Sequence, residues 1–359
     1  MKETTAIGMM SGSSLDGLDI ALVRFQEEGN KYRFQILQAE TLPYPEYWTK
    51  QLSEAFHKQP NELTKLDKEY GKYLGEQVLA FAKKHNVNPD FVASHGHTIF
   101  HRPEEHYTLQ IGDGQEMAKA CGFTVINDFR SEDVGKGGQG APLVPIGDKL
   151  LFGDYEICLN IGGIANVSYD EDGQRIAYDI CIANQALNYL AQMKGLDYDR
   201  DGQLARSGEV NMDLLKRLNK HPFYGQLPPK SLGREFFEEN QKHLLKTGPS
   251  TGLGALSVED TLATFTEHIA LQVALAVSVL PKSKLLATGG GARNKFLIER
   301  LQARSSHEIV VPDKMIIDYK EALVFAFLGL LRMEGKTNVL ASVTGAESDS
   351  CSGRIWNLC

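Results

Sequence analysis

GMMSGSSLDGLD, residues 8–19, is the stretch on which the fold depends. It lies between apolar runs at residues 6–10 and 18–25, and each of these runs predicts a short β-strand. Its glycines let the backbone come close to an anion, and its serines add hydroxyl donors. The stretch therefore predicts a phosphate-binding hairpin turn, with an ordinary tight hairpin as the alternative.

Two more glycine turns follow apolar runs later in the chain. Gly162–Gly163 stands between predicted strands at 156–161 and 164–169. Gly289–Gly291 follows a predicted strand at 284–288. Open α/β sheets bind their ligands at the carboxyl ends of the strands. Three glycine turns at such ends therefore favour a nucleotide site over three unrelated hairpins.

The order of the predicted elements repeats along the chain. In each half, two strands joined by a glycine turn lead to a third strand, at 33–42 in the first half and at 174–179 in the second. A helical pattern follows the third strand in both halves. Such a repeat indicates two α/β lobes. We place the N-terminal lobe at residues 1–135, with the tail 336–359 packed on it, and the C-terminal lobe at 136–335.

The composition is that of a globular protein. The 359 residues carry a net charge of −8 with a pI near 5.7, whereas a nucleic-acid surface needs a basic stripe. No apolar run reaches the roughly 20 residues of a membrane span, and the N-terminus has no apolar signal core. The five cysteines are scattered, as is usual for reduced thiols. We therefore expect a cytoplasmic protein with a small-molecule partner and with no nucleic-acid or membrane partner.

The glycine turns match neither of the two common nucleotide fingerprints. The chain has no GxxxxGK[ST], and Pro142 argues against a helix start directly after GKGGQGAP. Phosphate binding would then use the two-hairpin arrangement of the sugar kinase, heat-shock protein and actin superfamily, in which two duplicated lobes clamp a nucleotide.

Eight segments, in order from residue 8 to residue 331, resemble the anhydro-N-acetylmuramic acid kinase family. They are GMMSGSSLDGLD, SHGHTIFHRP, TLQIGDG, VINDFRSEDVGKGGQGAPLVP, LNIGGIANVS, PPKSLGREFF, ATGGGARN and EALVFAFLGLL. The resemblance implies an α/β fold of two duplicated ribonuclease H-like lobes, the actin-like ATPase fold, around an interlobe cleft. It also implies a homodimer that uses ATP and Mg²⁺. The implied reaction opens the 1,6-anhydro bond of anhydro-N-acetylmuramic acid and phosphorylates O6, giving N-acetylmuramic acid 6-phosphate in peptidoglycan recycling.

The resemblance also implies roles for individual residues. Its ATP segments correspond to Gly12, Ser13, Ser14, Leu15, Asp16, Gly17, Leu18 and Asp19, to Gly162 and Gly163, and to Gly289, Gly290 and Asn294. Thr98 and Arg130 match positions that hold the sugar. Asp179 matches the catalytic base, and Glu321 matches an acidic residue that faces the same site. The metal ligands stay unassigned.

The residues alone leave other interpretations open for three of these side chains. Asp179 could cap a helix at 184–193. Glu321 could be a first-turn carboxylate that the helix dipole favours. Arg130 could pair with a neighbouring acid on the surface.

The chain departs from the family pattern at three places. The family's DTGPGN is DICIAN at 179–184, its HGQT is HGHT at 95–98, and its SGTS is SGSS at 11–14. We expect the loss of two glycines beside the base to reshape the sugar side of the site. The alternatives are therefore a kinase for another sugar, such as levoglucosan or an N-acetylhexosamine, and a nucleotide-gated binding protein with altered catalysis.

Overall fold

The computed structural model describes residues 2–12, 15, 17–29, 31–233, 235–245 and 256–357. Ser13, Ser14 and Asp16 of the predicted phosphate turn lie outside these residues. The chain divides into two compact units, the first made of Met1–Phe152 and Tyr319–Cys359 and the second of Gly153–Asp318.

The regular elements are numbered along the chain. The strands are β1 (Lys2–Ser11), β2 (Leu18–Glu28), β3 (Lys31–Leu42), β4 (Phe91–Ser94), β5 (His97–Arg102), β6 (Tyr107–Ile111), β7 (Val125–Asn127), β8 (Ile157–Ile161), β9 (Ile164–Glu171), β10 (Gln174–Ile182), β11 (Lys284–Thr288), β12 (Glu308–Val310) and β13 (Arg354–Trp356). The α-helices are α1 (Glu46–Glu54), α2 (Pro60–His85), α3 (Gly114–Cys121), α4 (Ser131–Gly135), α5 (Val144–Leu151), α6 (Asn184–Gln192), α7 (Gln203–Ser207), α8 (Met212–Asn219), α9 (Val258–Val277), α10 (Lys295–Arg304), α11 (Lys314–Met333) and α12 (Ala341–Thr344).

The sheet of the first unit has, within the described residues, the strand order β13-β7-β4-β1-β2-β3. Strands β1, β2 and β3 are antiparallel neighbours, whereas β4 and β7 continue parallel to β1. Helix α11 packs so closely on this sheet that a Cβ at Gly8 of β1 would collide with the carbonyl group of Ala322 on the helix. A glycine is therefore required at the centre of β1.

The sheet of the second unit has, in the part of the chain described, the order β10-β9-β8-β11-β12. Strands β8, β9 and β10 are antiparallel neighbours, and β11 and β12 continue parallel to β8. This order repeats β3-β2-β1-β4-β7 of the first unit strand for strand. The predicted duplication of a ribonuclease H-like α/β unit is therefore confirmed.

The boundaries between the units differ from those we placed at residues 135 and 335. The segment after residue 135 stays with the first unit through α5 and Phe152, whose ring lies 5.2 Å from that of Phe34 on β3. From Tyr319 onward, helix α11 also belongs to the first unit, where Ala322 and Gly329 pack against the sheet strands. The tail adds β13 to the edge of the same sheet, beside β7.

Helix α11 begins at Lys314, six residues before the predicted start at residue 320. The segment predicted as a helix at 234–246 forms, from Phe237 to Leu245, π and 3₁₀ turns. Among the described helices, none combines the length and the hydropathy of a membrane-spanning segment.

Candidate active site

Polar side chains form a row across four strands of the second unit. The strand registers pair Asp179 with Asn166, Asn166 with Asn160, and Asn160 with Thr288. Residues paired in this way point to the same face of a sheet. Asn160 of this row lies two residues before Gly162 of the Gly162–Gly163 turn. Asn160 and Asn166 were missed by the sequence analysis, although an asparagine on each side of a glycine turn, in two apolar strands, was the available signal.

The Asp179 carboxyl is half-buried and held by backbone groups. Its Oδ2 accepts a hydrogen bond of 2.9 Å from the Leu232 N–H, and its own N–H donates to the Lys230 carbonyl at 3.1 Å. Burial raises the pKa of Asp179, and the Leu232 N–H opposes this rise. Such an environment is common for carboxylates that act as general bases. The helix-cap interpretation is wrong, since Asp179 lies within β10 and the N-cap of α6 is Ala183.

The residues after Asp179 depart from the family pattern, but their side chains lie in the protein interior. The register of β10 shifts between Asp179 and Cys181, which leaves Ile180 as the extra residue of a β-bulge. Ile180, Cys181, Ile182 and Ala183 are all buried in the apolar core of the second unit. These side chains therefore pack into the apolar core, and their influence on the sugar side stays a prediction.

The Gly162–Gly163 turn is held through its carbonyl groups. Ala183 and Gln185 donate backbone N–H bonds to the Gly163 carbonyl, and Asn184 donates to that of Gly162. A Cβ at either glycine would meet only ordinary contacts, at 3.5 Å and 3.9 Å. Packing therefore does not require glycine here, and the space beside the turn stays open for a ligand.

The third glycine turn contains both structural and open positions. Gly289 has φ 79°, and a Cβ there would lie 2.5 Å from Asn160 Oδ1. A Cβ at Gly291 would collide with the Ile161 side chain. At Gly290 the nearest atom would be Asn184 Nδ2 at 3.7 Å. Gly290 is thus the position of this turn that packing leaves free for a ligand.

Asn294, predicted beside the adenosine, acts as a helix cap. Its side-chain oxygen accepts a hydrogen bond of 3.0 Å from the Leu297 N–H at the start of α10. A capping oxygen satisfies one of the free N–H groups of a first helical turn. The cap fixes Asn294 at the end of the third glycine turn.

The described part of the first glycine turn joins β1 to β2. Leu15 has φ 61° and donates its N–H to the Gly12 carbonyl at 3.3 Å. Gly17 is required by packing, because a Cβ would lie 2.7 Å from the Leu42 carbonyl oxygen. Leu18 is buried, whereas Asp19 is partly exposed and accepts a hydrogen bond of 2.6 Å from the Thr41 hydroxyl. Asp19 therefore offers a carboxylate at the end of the turn.

A buried hydrogen-bond network lies at the base of this turn. Ser11 Oγ is 2.8 Å from His97 Nδ1 and accepts a bond of 2.7 Å from the Tyr44 hydroxyl. Tyr44 and Tyr70 are joined by a further bond of 2.7 Å. Since Ser11 accepts from Tyr44, its hydroxyl proton is directed to His97. Burial lowers the pKa of His97 to about 4, so this ring is neutral. The sequence did not reveal the tyrosines, which only tertiary contact brings to the turn.

Arg130 is fixed by two acceptors inside the first unit. Its Nε and Nη2 donate to His95 Nε2 at 3.2 Å and 2.9 Å, and its Nη1 donates to the Gly140 carbonyl at 2.5 Å. Burial lowers the pKa of Arg130 to about 10, while Glu321 and Asp133 oppose that change. Burial and the charge of Arg130 also hold the pKa of His95 well below its usual range. The surface-pair interpretation of Arg130 is therefore wrong.

Glu321 lies in the interior of α11, so the first-turn interpretation is wrong. The side chain is exposed, yet surrounding protein still raises the pKa of its carboxyl. The charge of Asp19 adds to this rise, whereas Lys320 and Arg130 oppose it. Asp19, Arg130 and Glu321 therefore form one electrostatic group in the first unit.

Thr98 lies in β5 opposite Gln110, next to an irregularity of the pairing between Thr98 and Phe100. It directly follows His97 of the buried network. Thr98 belongs to the first unit, as Arg130 and Glu321 do, whereas Asp179 belongs to the second.

The repeated strand order, with a glycine turn between the first two strands of each unit, is that of the actin-like ATPase fold, which is built from two ribonuclease H-like units. The model of the family "Anhydro-N-acetylmuramic acid kinase" matches residues 4–357. The chain belongs to this family.

Two relatives agree with this assignment over nearly their whole length. The anhydro-N-acetylmuramic acid kinase of Mannheimia succiniciproducens is 35% identical over 98% of this chain and 98% of its own. That of Vibrio cholerae is 34% identical over 98% of this chain and 97% of its own. Among solved structures, the (R)-2-hydroxyglutaryl-CoA dehydratase component A of Acidaminococcus fermentans covers 90% of this chain and 96% of its own, with 12% identity and a TM-score of 0.45. That TM-score is too low for an argument about fold or function.

Proposed function

We propose that this chain is an ATP-dependent kinase that opens the 1,6-anhydro bond of anhydro-N-acetylmuramic acid and phosphorylates O6, giving N-acetylmuramic acid 6-phosphate for peptidoglycan recycling. The observation that carries the proposal is the Asp179 carboxyl. It lies in a polar row beside the Gly162–Gly163 turn, and burial raises its pKa. A carboxylate in such a setting can take a proton from an attacking water molecule.

In the proposed reaction, Asp179 accepts a proton from a water molecule whose oxygen attacks C1 of the sugar. The C1–O6 bond breaks, and its electron pair stays on O6. O6 then attacks the γ-phosphorus of ATP, and the electron pair of the bond to the bridging oxygen leaves with ADP. We propose that Arg130 and Thr98 bind the sugar. His95 and Gly140 hold the guanidinium of Arg130 in one orientation, which suits it to bind one group of the substrate. Glu321 is the proposed second carboxylate of the site.

The nucleotide would be held by glycine turns whose open positions fit phosphate oxygens. At Gly162, Gly163 and Gly290 a Cβ would meet nothing closer than 3.5 Å, so the lack of a side chain has no packing reason. Backbone N–H groups at such turns are suited to phosphate. The remaining nucleotide positions that we propose are Gly12, Ser13, Ser14, Leu15, Asp16, Gly17, Leu18, Asp19, Gly289 and Asn294.

Mg²⁺ is the metal that we propose to accompany ATP. It neutralises charge on the transferred phosphoryl group when bound. The described residues contain no group of three or more His, Cys, Asp or Glu side chains that could hold a metal ion. Mg²⁺ beside a nucleotide takes most of its ligands from phosphates and water, so one or two carboxylates suffice. Asp19, next to the predicted phosphate turn, is one that fits this requirement.

The test is a phosphorylation assay with ATP, Mg²⁺ and anhydro-N-acetylmuramic acid in ¹⁸O-labelled water, read by mass spectrometry. We expect one phosphate and one ¹⁸O atom in each product molecule. A phosphorylated product without ¹⁸O would contradict the coupled hydrolysis. Turnover of levoglucosan or an N-acetylhexosamine in preference to the anhydro sugar would favour the alternative substrate. ATP binding without turnover of any sugar would favour a binding protein.

We also propose a homodimer in the cytoplasm. Cytoplasmic location is supported by Cys121 and Cys181, which are free, buried thiols as expected in a reducing compartment. The homodimer rests on the family resemblance. Light scattering on the purified chain would test it, and a monomeric mass at micromolar concentration would contradict it.

A further inference from the structure

A cavity lies in the second unit. No residue of the proposed active site lines it, although the backbone carbonyl of Lys230 in its wall accepts the N–H of Asp179. The cavity measures about 750 Å³, within the range of small-molecule sites. Tyr178 and Ile180 of β10 line it, but Asp179 between them does not. Its wall also includes aromatic and polar side chains, among them Tyr169, Tyr224, Asn219, Gln226 and Lys230.

Lys230 is the cation of this cavity. Its ammonium group donates to the Phe223 carbonyl at 3.3 Å and lies 4.7 Å and 5.7 Å from the ring centres of Phe223 and Tyr178. No carboxylate among the described residues forms an ion pair with it. An ammonium group has three donors, and a partly buried charge is costly without a counterion. Lys230 is therefore placed to bind an anion.

Asn219 offers a second donor at the cavity wall. Its side-chain oxygen is 2.7 Å from His268 Nδ1 and accepts a bond of 2.7 Å from Gln272 Nε2. These two contacts fix the orientation of the amide, so its NH₂ group is left to donate to a ligand. Gln226 and Glu171, which also line the cavity, offer acceptors for hydroxyl groups.

We propose that this cavity binds an anionic pyranose, a sugar that carries a phosphate or a carboxylate group. The anion would bind Lys230 and Asn219, and the sugar ring would pack against the faces of Tyr169, Tyr178 and Tyr224. Hydroxyl groups of the sugar would donate to Glu171 and Gln226. The proposal goes beyond the kinase activity, because the side chains of these residues have no part in the proposed reaction.

Calorimetric titration of the full chain tests this proposal. The probes are N-acetylglucosamine 6-phosphate, N-acetylmuramic acid and neutral N-acetylglucosamine. We expect a phosphate or carboxylate sugar to bind at least tenfold more tightly than the neutral one. The preferred anionic probe identifies the anion. Equal binding of all three probes, or binding of none up to 10 mM, would overturn the proposal.

Variants assign the binding to the cavity. Lys230→Met and the isosteric Asn219→Asp should each weaken binding of the preferred probe at least tenfold. Lys216→Met, which removes an exposed lysine of the same unit, should leave the affinity for this probe unchanged. Asp179→Asn should leave this binding unchanged. Loss of binding in Asp179→Asn, or wild-type binding in both cavity variants, would overturn the proposal. Because the assay reads binding, its outcome is independent of whether the chain phosphorylates anhydro-N-acetylmuramic acid.

Discussion

In the first unit a side-chain network lies at the base of the described part of the glycine turn, whereas in the second unit three backbone N–H groups hold the turn. Ser11, at the base of the β1–β2 turn, bonds with His97 and Tyr44. The β8–β9 turn is instead held by N–H groups at the start of α6, which donate to the carbonyls of Gly162 and Gly163. Two units with one strand order thus support equivalent turns in ways that respond differently to mutation.

The polar row beside each turn also differs. Counted from the turn, the second pair of facing residues is Met10 and Asp19 in the first unit. The equivalent pair in the second unit is Asn160 and Asn166. On the third strand the row continues to Thr41 in the first unit and to Asp179 in the second. The third strand therefore carries a hydroxyl in one unit and a carboxylate in the other. This difference explains why we place the general base in the second unit.

Removal of that carboxylate should have the largest effect. Asp179→Asn keeps the shape of the side chain but cannot accept a proton, so we expect turnover to fall by at least about 100-fold, as for other general bases. Nucleotide affinity should stay at the wild-type value. Sugar-dependent ADP release and an ATP titration measure the two quantities. Asp172→Asn, at an exposed turn residue with φ 50°, is the matched control, and near-wild-type turnover of Asp179→Asn would refute its role.

The pH dependence of the wild type tests the same residue. Burial raises the pKa of Asp179 above its ordinary value of 3.8, so the carboxyl holds its proton to a higher pH than an exposed aspartate does. The active base is therefore lost earlier as the pH falls. We expect kcat/KM to decline on the acid side with an apparent pKa above 3.8. An acid limb at or below that value would contradict the buried environment as its cause.

Removal of the side-chain support of the first turn should have the next largest effect. Ser11→Ala leaves the buried His97 Nδ1 without its donor and removes the acceptor of Tyr44, at an expected cost of about 2 kcal/mol. Both tryptophans, Trp48 and Trp356, belong to the first unit, so the unfolding of that unit can be followed by tryptophan fluorescence in urea.

The matched variant in the second unit is Asn184→Ala. It loses one side-chain bond to the Ile161 carbonyl but keeps the backbone bond to Gly162. We expect a cost below about 1 kcal/mol, measured by circular dichroism because this unit has no tryptophan. Equal costs for the two variants would show that the turns do not differ in their support.

Two glycines of the second unit can distinguish a position that is open to a ligand from one that packing requires to be glycine. Gly163→Ala should raise the KM for ATP about tenfold, equivalent to ~1.4 kcal/mol, without a change in melting temperature. Gly291→Ala should lower the melting temperature, because its Cβ would collide with Ile161. An unchanged KM for ATP in Gly163→Ala would rule out the Gly162–Gly163 turn as a phosphate site.

The sequence predicted those features that local patterns encode. Periodicity and glycine placement predicted the strands and the three turns, because an apolar strand and the break after it are properties of neighbouring residues. The unit boundary was misplaced, since the place of α11 depends on the contact between Gly8 and Ala322, more than 300 residues apart.

The site was predicted in a similar way. The resemblance pointed to Asp179, but its polar row depends on strand register, and short motifs do not report register. The network of Ser11, His97 and Tyr44 joins three separate segments of the chain. A local sequence pattern therefore could not predict the part of Tyr44 or of Tyr70, which bonds to it. The sequence did not show that residues 180–183 are buried, because a β-bulge breaks the simple alternation there.

The pH dependence of stability should also separate the two turns, because His97 gives the first turn a titratable support. The folded-state pKa of His97 is about 4 and its ordinary value is 6.5, so below about pH 6.5 the unfolded chain binds a proton that the folded chain does not. Stability is therefore lost as the pH falls, by about 1 kcal/mol between pH 7 and pH 5.5 for this group. His97→Gln keeps a polar side chain but removes this titratable group.

The tryptophan-monitored stability of His97→Gln should therefore fall by about 1 kcal/mol less than that of the wild type over this interval. His268 of the second unit, with a pKa lowered to about 3 by burial, lies in the network of Asn219 and Tyr224 rather than at a turn. Its replacement by Gln should leave the tryptophan signal of the first unit with its full pH dependence. If the two variants change that dependence equally, His97 is not the group that makes the first turn sensitive to acid.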